Sequence, residues 1–553
     1  MAAKPAAVVE PAAMPQDAPT SAREGATPPA PAPSLARQVA KGAVWMVAIR
    51  FASRTLGLIS TLVIARILVP ADFGLVAMAG AFANSVDSLS AVGLREALIR
   101  HPDVAGELYD AAFTMQAVRG LFTGAIVAMA APFAAQWFGE PRVAPMLLVL
   151  GALAAAAGFE NIAVAEFQRN FRFDMEFALQ ILPRMLQVAT AIAAALILRS
   201  YWALLIAIAV AQLSRLVATY AVHPHRPRLT LARWRDLLGF SFWTWMTSLA
   251  NVVWQRADAF IVAPALGAAT FGLYTLAWEV GRLPVTEIIA PVAGALFPGF
   301  AEARRRGDTD TLAPMAVIAF LTLLAVPLAI AISAAAGPVV VVLLGPRWIA
   351  ASPLVAVLAI TCALAPLTWI SGSLLTASGR VARYFVVLTV GALVRVAMLT
   401  YAVRGGHLLE VVWWAVASVA FIVVGYVVAL RRAGELQLRD GLGGLTRTFV
   451  ASLVSLAALW VTGLGWRATT PTATFAAFLD GTRTGLFGIA VFTLVVGLLW
   501  RLAGKPYGPE ARVVAMLRAS VARIAHSRIP YPAAFRRPRL CARNPGPPAS
   551  DRR

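Results

Sequence analysis

The stretch from Gly42 to Ala79, GAVWMVAIRFASRTLGLISTLVIARILVPADFGLVAMA, decides the fold. Its first part is apolar enough to enter a bilayer as a helix, yet it carries Arg50 and Arg54. At about 100° per residue, Arg50, Arg54, Gly57 and Thr61 fall on one narrow face, with Leu, Ile and Val around the rest. A second copy opens at Gly239 and reads GFSFWTWMTSLANVVWQRADAFIVAPALGAATFGLYTLA. The two ends align, so Phe73-Gly74-Leu75 matches Phe271-Gly272-Leu273. The second helix again has one polar face, formed by Thr244, Ser248, Asn251, Gln255 and Asp258. Two halves, each opening on a membrane helix with a polar face, are the pattern from which the rest is read.

Working outward, the 553 residues are 59% hydrophobic and 14% charged, against about 45–50% and 25% in soluble domains. Apolar runs recur as about fourteen spans, each near the 20 residues a bilayer core needs. The expected fold is an all-α polytopic membrane protein of about 14 transmembrane helices, as two six-helix lobes plus two C-terminal helices. The predicted division is a disordered cytoplasmic N-terminal tail over 1–36, a first lobe over 37–236 and a second over 237–432. Two additional spans follow over 433–504, then a basic cytoplasmic tail over 505–553. The Ala- and Pro-rich lead-in has no long apolar core and does not read as a cleaved signal peptide. In the tail, Val513, Val514, Leu517, Val521 and Ile524 share one side, which suits a basic amphipathic helix on the inner leaflet or a soluble basic tail.

A net charge of +21 would suggest nucleic acid in a soluble protein; here the positive-inside rule accounts for it, and no nucleic-acid partner is expected. Arg gathers in every second loop: Arg169 and Arg172; Arg226, Arg228, Arg233 and Arg235; Arg304, Arg305 and Arg306; Arg380 and Arg383; Arg431, Arg432 and Arg439. Most of the intervening loops hold one, such as Arg66, Arg142, Arg199, Arg347 or Arg404. This alternation places both termini in the cytoplasm. An even number of helices between the motif copies makes the repeat parallel, about an axis along the membrane normal.

Charges within membrane helices cost about 2.5–3.5 kcal/mol on insertion scales, so they mark cavities or partners. The candidates for a substrate cavity are Arg50, Arg54, Asn84, Arg119, Arg184, Asn251, Gln255, Arg282 and Arg395. The ion-coupling candidates are Asp87, Asp258, Glu279 and Glu287. Arg119, Arg184 and Arg215 lie near span ends, where snorkelling to the interface is the alternative. Asp258 has Arg256 as a candidate structural partner. Guanidinium groups lining a cavity suit an anion such as a pyrophosphate, held through bidentate charge-assisted hydrogen bonds. Glu279 and Arg282 stand three apart and are expected to pair when the cavity is empty. An arriving phosphate would then take Arg282 and free Glu279 to load a proton.

Cys362 and Cys541 make no disulfide framework, and no metal-ligand spacing appears. The five histidines (His101, His223, His225, His407 and His526) lie in loops or tails. The longest outer loop, 467–483, holds Asp480 as its only carboxylate. No catalytic group, metal or cofactor is expected.

Further stretches carry a resemblance. They are ARILVPADFGLVAMA and GLREALIR, EFQRNFRFD, LFPGFAEARRRGD, LLGPRWIAASPL and LLTASGRVARYF, in that order from about residue 38 to 505. They resemble the Wzx-type polysaccharide transporter family, the lipid-linked oligosaccharide flippases, in its colanic-acid-exporter-like branch. That family is similar to the MATE drug exporters and the MurJ lipid II flippase. The resemblance implies a V-shaped cationic cavity alternating between inward- and outward-open states in the bacterial inner membrane. It implies an undecaprenyl-pyrophosphate-linked oligosaccharide as cargo, with membrane lipids, a polysaccharide polymerase and a chain-length regulator as candidate partners. The family's first-helix arginine corresponds to Arg50 or Arg54. A lipid II flippase, a MATE-like drug exporter and a membrane polymerase or ligase are the alternatives.

Overall fold

The computed structural model describes residues 35–91, 93–101, 106–237, 242–290, 314–434, 439–467, 473–506, 508–515 and 518. The first half contains α1 (Leu35–Ile67), α2 (Pro70–Ser90), α3 (Leu94–Arg100), α4 (Gly106–Phe138), α5 (Val143–Ala157), α6 (Ala165–Arg169), α7 (Phe173–Leu198) and α8 (Trp202–Val222). The second contains α9 (Phe242–Gly281), α10 (Pro314–Ala334), α11 (Ala336–Leu343), α12 (Ser352–Leu358), α13 (Ile360–Ala377), α14 (Val381–Ala402) and α15 (Leu408–Arg432). Two further helices, α16 (Arg439–Val461) and α17 (Thr474–Leu502), pack together and against α10. Among the described residues there is no strand. In a hydrocarbon solvent a helix satisfies its own backbone, which is why the apolar runs fold this way.

By length and apolarity, ten helices among the described residues suffice to cross a membrane, or twelve with two bent pairs counted as spans. The bent pairs are Val143–Ala157 with Ile162–Arg169, at 67°, and Pro346–Leu358 with Ile360–Thr376, at 47°. The count therefore falls short of the expected fourteen, for two physical reasons. Asn84, Asp87 and three serines make α2 too polar to qualify, although it packs deep in the bundle. The expected seventh and eighth spans form one continuous run, Trp245–Ile289, of 45 residues. That run is about 67 Å long at 1.5 Å per residue, twice a bilayer core; it turns at Gly267, whose φ is 80° and ψ 169°.

A second correction concerns the expected outer loop at 467–483. Residues from Thr474 onward are the first turns of α17, with Ala477 buried, so Asp480 is helical. The N-terminal lead-in up to residue 34, the LFPGFAEARRRGD stretch and most of the basic tail lie outside the described residues. The start of the tail does pack. Glu510 is buried and receives Arg447 Nε at 2.6 Å and Nη2 at 3.0 Å, tying the tail to α16.

The two motif copies meet. A Cβ on Gly74 would run into the carbonyl of Ala268, and a Cβ on Gly272 into the carbonyl of Pro70. The same offset separates Gly74 from Gly272 and Pro70 from Ala268, so the contact is reciprocal, as a two-fold relation requires. Glycine at both positions lets α2 and α9 touch backbone to backbone. The core gathers around this contact: Leu75, Met78, Phe271 and Tyr274 are buried in one cluster with Trp348.

Around it, the turn end of α1 is sealed. Trp348, fully buried, donates Nε1–H to the Ala65 carbonyl at 2.7 Å and meets the Phe73 ring edge-on at 5.4 Å. Arg66 Nη2 donates to the Val342 carbonyl at 2.6 Å. The Asp72 carboxylate accepts from the amides of Val69 and Tyr201, fixing the start of α2 against that of α8.

Candidate functional site

Away from that seal, three helices bring their charged faces together. α1 supplies Arg54, with the exposed Arg50 one turn before it and not in contact with the others, α7 supplies Arg184, and α9 supplies Glu279. Beyond α9 come Arg282, then Pro284, then a wide π-type turn, Val285–Ile289, that carries Thr286 and Glu287. Pro284 has no N–H to give, and such a residue ends regular α-helical bonding.

Arg54 joins the two halves. Its Nε donates to Glu287 Oε1 at 2.6 Å and its Nη2 to Thr286 Oγ1 at 3.3 Å. Thr286 Oγ1 in turn donates to Glu287 Oε1 at 2.9 Å. The pair is only partly covered, with 36% and 27% of the two side chains exposed, so other ligands can reach it. Arg54 is the common neighbour of the cluster: its charge reaches Glu279, Arg184 and Arg282. Arg184 donates to Gln187 Oε1 at 2.6 Å, and its guanidinium fills the space that a side chain on Gly57 would take. The Arg282 guanidinium lies over the Trp278 ring, 5.7 Å from its centroid.

Among the described residues, the guanidinium groups of Arg50 and Arg282 make no hydrogen bond, and the Glu279 carboxylate has no partner within hydrogen-bond distance. The expected Glu279–Arg282 pair does not form. The π-type turn brings Glu287 to Arg54, and Arg282 lies over Trp278, the residue immediately before Glu279. The cluster thus holds guanidinium donors from two halves with unused capacity, beside two carboxylates. Such a set can receive an oxyanion through several charge-assisted hydrogen bonds at once.

Other candidates lie elsewhere. Asp87 pairs with Arg119 at 2.9 Å between α2 and α4, with Ser90 also receiving Arg119. Asp258 pairs with Arg395, not Arg256: Arg395 Nη2 donates to both carboxylate oxygens at 2.8 Å, and Nη1 to Ser418 at 2.7 Å. Tyr274 donates to Asp258 as well, and Trp254 and Trp278 flank the guanidinium at 4.9 and 5.7 Å. Arg395 is only 2% exposed, and the aromatic and acidic groups around it leave little room for cargo. Asn84 and Gln255 are exposed and Asn251 half-buried; none of the three is hydrogen-bonded to the charged cluster. Arg215, near its span end, pairs with Glu160 at 3.0 Å. Trp278 and Cys362, which shape the cluster, escaped the sequence reading; the Pro284 that ends α9's regular bonding was the signal available. No group of three or more metal-ligating side chains occurs among the described residues.

Comparisons agree with this architecture. The chain matches the family model described as "Polysaccharide biosynthesis protein" over residues 63–353. It is 25% identical over 421 residues to the succinoglycan biosynthesis transport protein ExoT of Rhizobium meliloti, covering 76% of this chain and 85% of that one. It is 23% identical over 363 residues to the lipopolysaccharide biosynthesis protein WzxC of Escherichia coli, covering 63% and 72%. Among solved structures, it resembles the lipid II flippase MurJ in an inward closed conformation, with a TM-score of 0.63 and 14% identity over 83% and 99% of the chains. It also resembles an inward-facing multidrug resistance MATE transporter, with a TM-score of 0.52 and 17% identity over 70% and 98%. The fold is that of the MATE- and MurJ-like exporters. With its family model matched from the end of α1 to the start of α12, this multi-pass membrane chain belongs to the polysaccharide biosynthesis protein family.

Proposed function

We propose that this protein is a flippase that moves an undecaprenyl-pyrophosphate-linked oligosaccharide from the cytoplasmic to the periplasmic leaflet of the bacterial inner membrane. Both termini then face the cytoplasm, and the sealed end of α1 faces the periplasm. The observation that carries the reading is the Arg54–Glu287 contact between halves, set among Arg184 and Arg282 with donors to spare. Family membership and the named transport relative support it. A catalytic role is disfavoured because a relative that aligns with 76% of this chain is named as a transport protein. A drug exporter of cations is disfavoured by the excess of guanidinium groups.

The pyrophosphate would be received by Arg54, Arg184 and Arg282, with Arg50 one helical turn further along α1. It competes with Glu287 for Arg54. Once displaced, Glu287 joins Glu279 as a carboxylate without a hydrogen-bonded guanidinium partner, and the two become the candidates to carry a coupling proton. The tie between halves is then broken and the bundle is free to change the side it opens to. Deletion of the gene is expected to trap the lipid-linked glycan on the inner leaflet, as seen by its protection from an external glycosidase in spheroplasts. A deletion strain whose glycan still reaches the outer leaflet at the normal rate would end the proposal.

Coupling is tested separately. Glu279→Gln and Glu287→Gln are each expected to make flipping in vesicles insensitive to a pH gradient, since neither amide can take up a proton. Transport that still responds fully to the gradient in both variants would remove the carboxylates from the coupling step.

A further inference from the structure

The turn that presents Thr286 and Glu287 to Arg54 has its own support, and it comes from a different helix. In a regular α-helix the Gly281 carbonyl would accept from the Val285 amide. Here Val285 N–H donates to the Arg282 carbonyl at 3.0 Å, and Ala290 N–H reaches back to Val285. The Gly281 carbonyl is left without its helical partner, in a place where an unpaired buried acceptor is costly. The Cys362 thiol of α13 fills the gap. It is fully buried and donates to the Gly281 carbonyl at 2.9 Å. The Val285 amide is also beside the sulfur, so the side chain sits between the two groups that regular bonding would join. A side chain inserted into the backbone ladder is a recognised cause of helix deformation. The approach is possible because residue 281 is Gly: a Cβ there would stand 3.2 Å from Leu358 Cβ and 3.4 Å from the Ala359 amide. Val285, Ala329 and Cys362 form one small buried cluster that fixes the thiol's place.

We propose that Cys362 is a positioning residue of the cargo site: its thiol, wedged between the Gly281 carbonyl and the Val285 amide, holds the π-type turn that aims Thr286 and Glu287 at Arg54. It touches no cargo. The inference rests on the reading of Arg54 and Glu287 as part of the flipping site. A serine at 362 offers the same single donor on a similar stem, whereas alanine and valine offer none.

The test uses full-length chain in native membranes, with Cys541→Ser, Arg54→Cys and Glu287→Cys, and a short bifunctional thiol reagent to read how close positions 54 and 287 stand. Cys362→Ser is expected to keep the cross-link yield, and Cys362→Ala to lower it about fivefold, the scale of one lost hydrogen bond. Cys362→Val, which leaves no cavity and offers no donor, makes the same comparison should the alanine chain fail to accumulate. Equal yields from Ser, Ala and Val chains would overturn the proposal. Export is measured in parallel with Arg54 and Glu287 restored, and is expected to be kept by Cys362→Ser and lowered by Cys362→Ala. A lowered cross-link with export unchanged in Cys362→Ala would uphold the wedge and count against Arg54 and Glu287 as the flipping site.

Discussion

Arg54→Ala is expected to cut appearance of the lipid-linked glycan on the outer leaflet by about thirtyfold, the low end for truncating one partner of a desolvated, hydrogen-bonded charge pair. The low end applies because Arg54 keeps 36% of its side chain exposed. Two effects act together. The fork that holds Glu287 and Thr286 in the empty protein is gone, and so are the donors that would receive the phosphate. Arg54→Lys separates charge from geometry. A single ammonium keeps the field at the site but cannot donate along two parallel directions, so an intermediate loss of about tenfold is expected. The measurement is glycan at each leaflet, at equal membrane levels of each variant. Equal and full export in both variants would exclude Arg54 from the transport step.

Arg54 also shows what the sequence made legible and what it did not. That two arginines occupy one face of an otherwise apolar helix is visible in GAVWMVAIRFASRTLG, because helical period and membrane cost act locally. The motif copies at Phe73-Gly74-Leu75 and Phe271-Gly272-Leu273 were equally visible, and the structure brings them into reciprocal contact. Partners are another matter. Arg54 and Glu287 lie 233 residues apart, and Arg395 and Asp258 lie 137 apart. No local rule selects Glu287 over Glu279, which stands three residues from Arg282 and looked like its natural mate. The choice is made by Pro284 and by a thiol on α13, which together shift the backbone register after Gly281. Span ends were legible only where composition changes sharply. At 474–483 the polar Thr, Asp and Arg residues imitate a loop, yet the Phe475, Phe478 and Leu479 side chains belong to the first turns of α17.

Gly272→Ala and Gly74→Ala are expected to damage the protein to similar degrees, because each methyl group meets the same obstacle across the two-fold contact. The obstacle is a backbone carbonyl, of Pro70 in one case and Ala268 in the other, and it has no rotamer by which to retreat. Overpacking costs about 1–3 kcal/mol where side chains can yield; here the upper figure applies, and it moves a two-state equilibrium by about 150-fold. What opposes the separation is the set of contacts at the sealed end, among them Trp348 on Ala65 and Arg66 on Val342. Each is worth about 1–3 kcal/mol, so one methyl group is enough to outweigh any one of them. The variants should therefore favour the state open at this end, not simply unfold. A membrane-impermeant thiol reagent added from outside reads the difference at Met78→Cys, fully buried one turn further in. Labelling is expected to rise in Gly74→Ala and Gly272→Ala while the membrane level holds, with the native thiols setting the background in every sample. Gly80→Ala is the control on the same helix, since a Cβ there meets only the Asn84 amide at 3.9 Å and should leave labelling unchanged. If Met78→Cys stays protected in both variants, α2 and α9 do not part at this contact, and the gate must be sought elsewhere in the bundle.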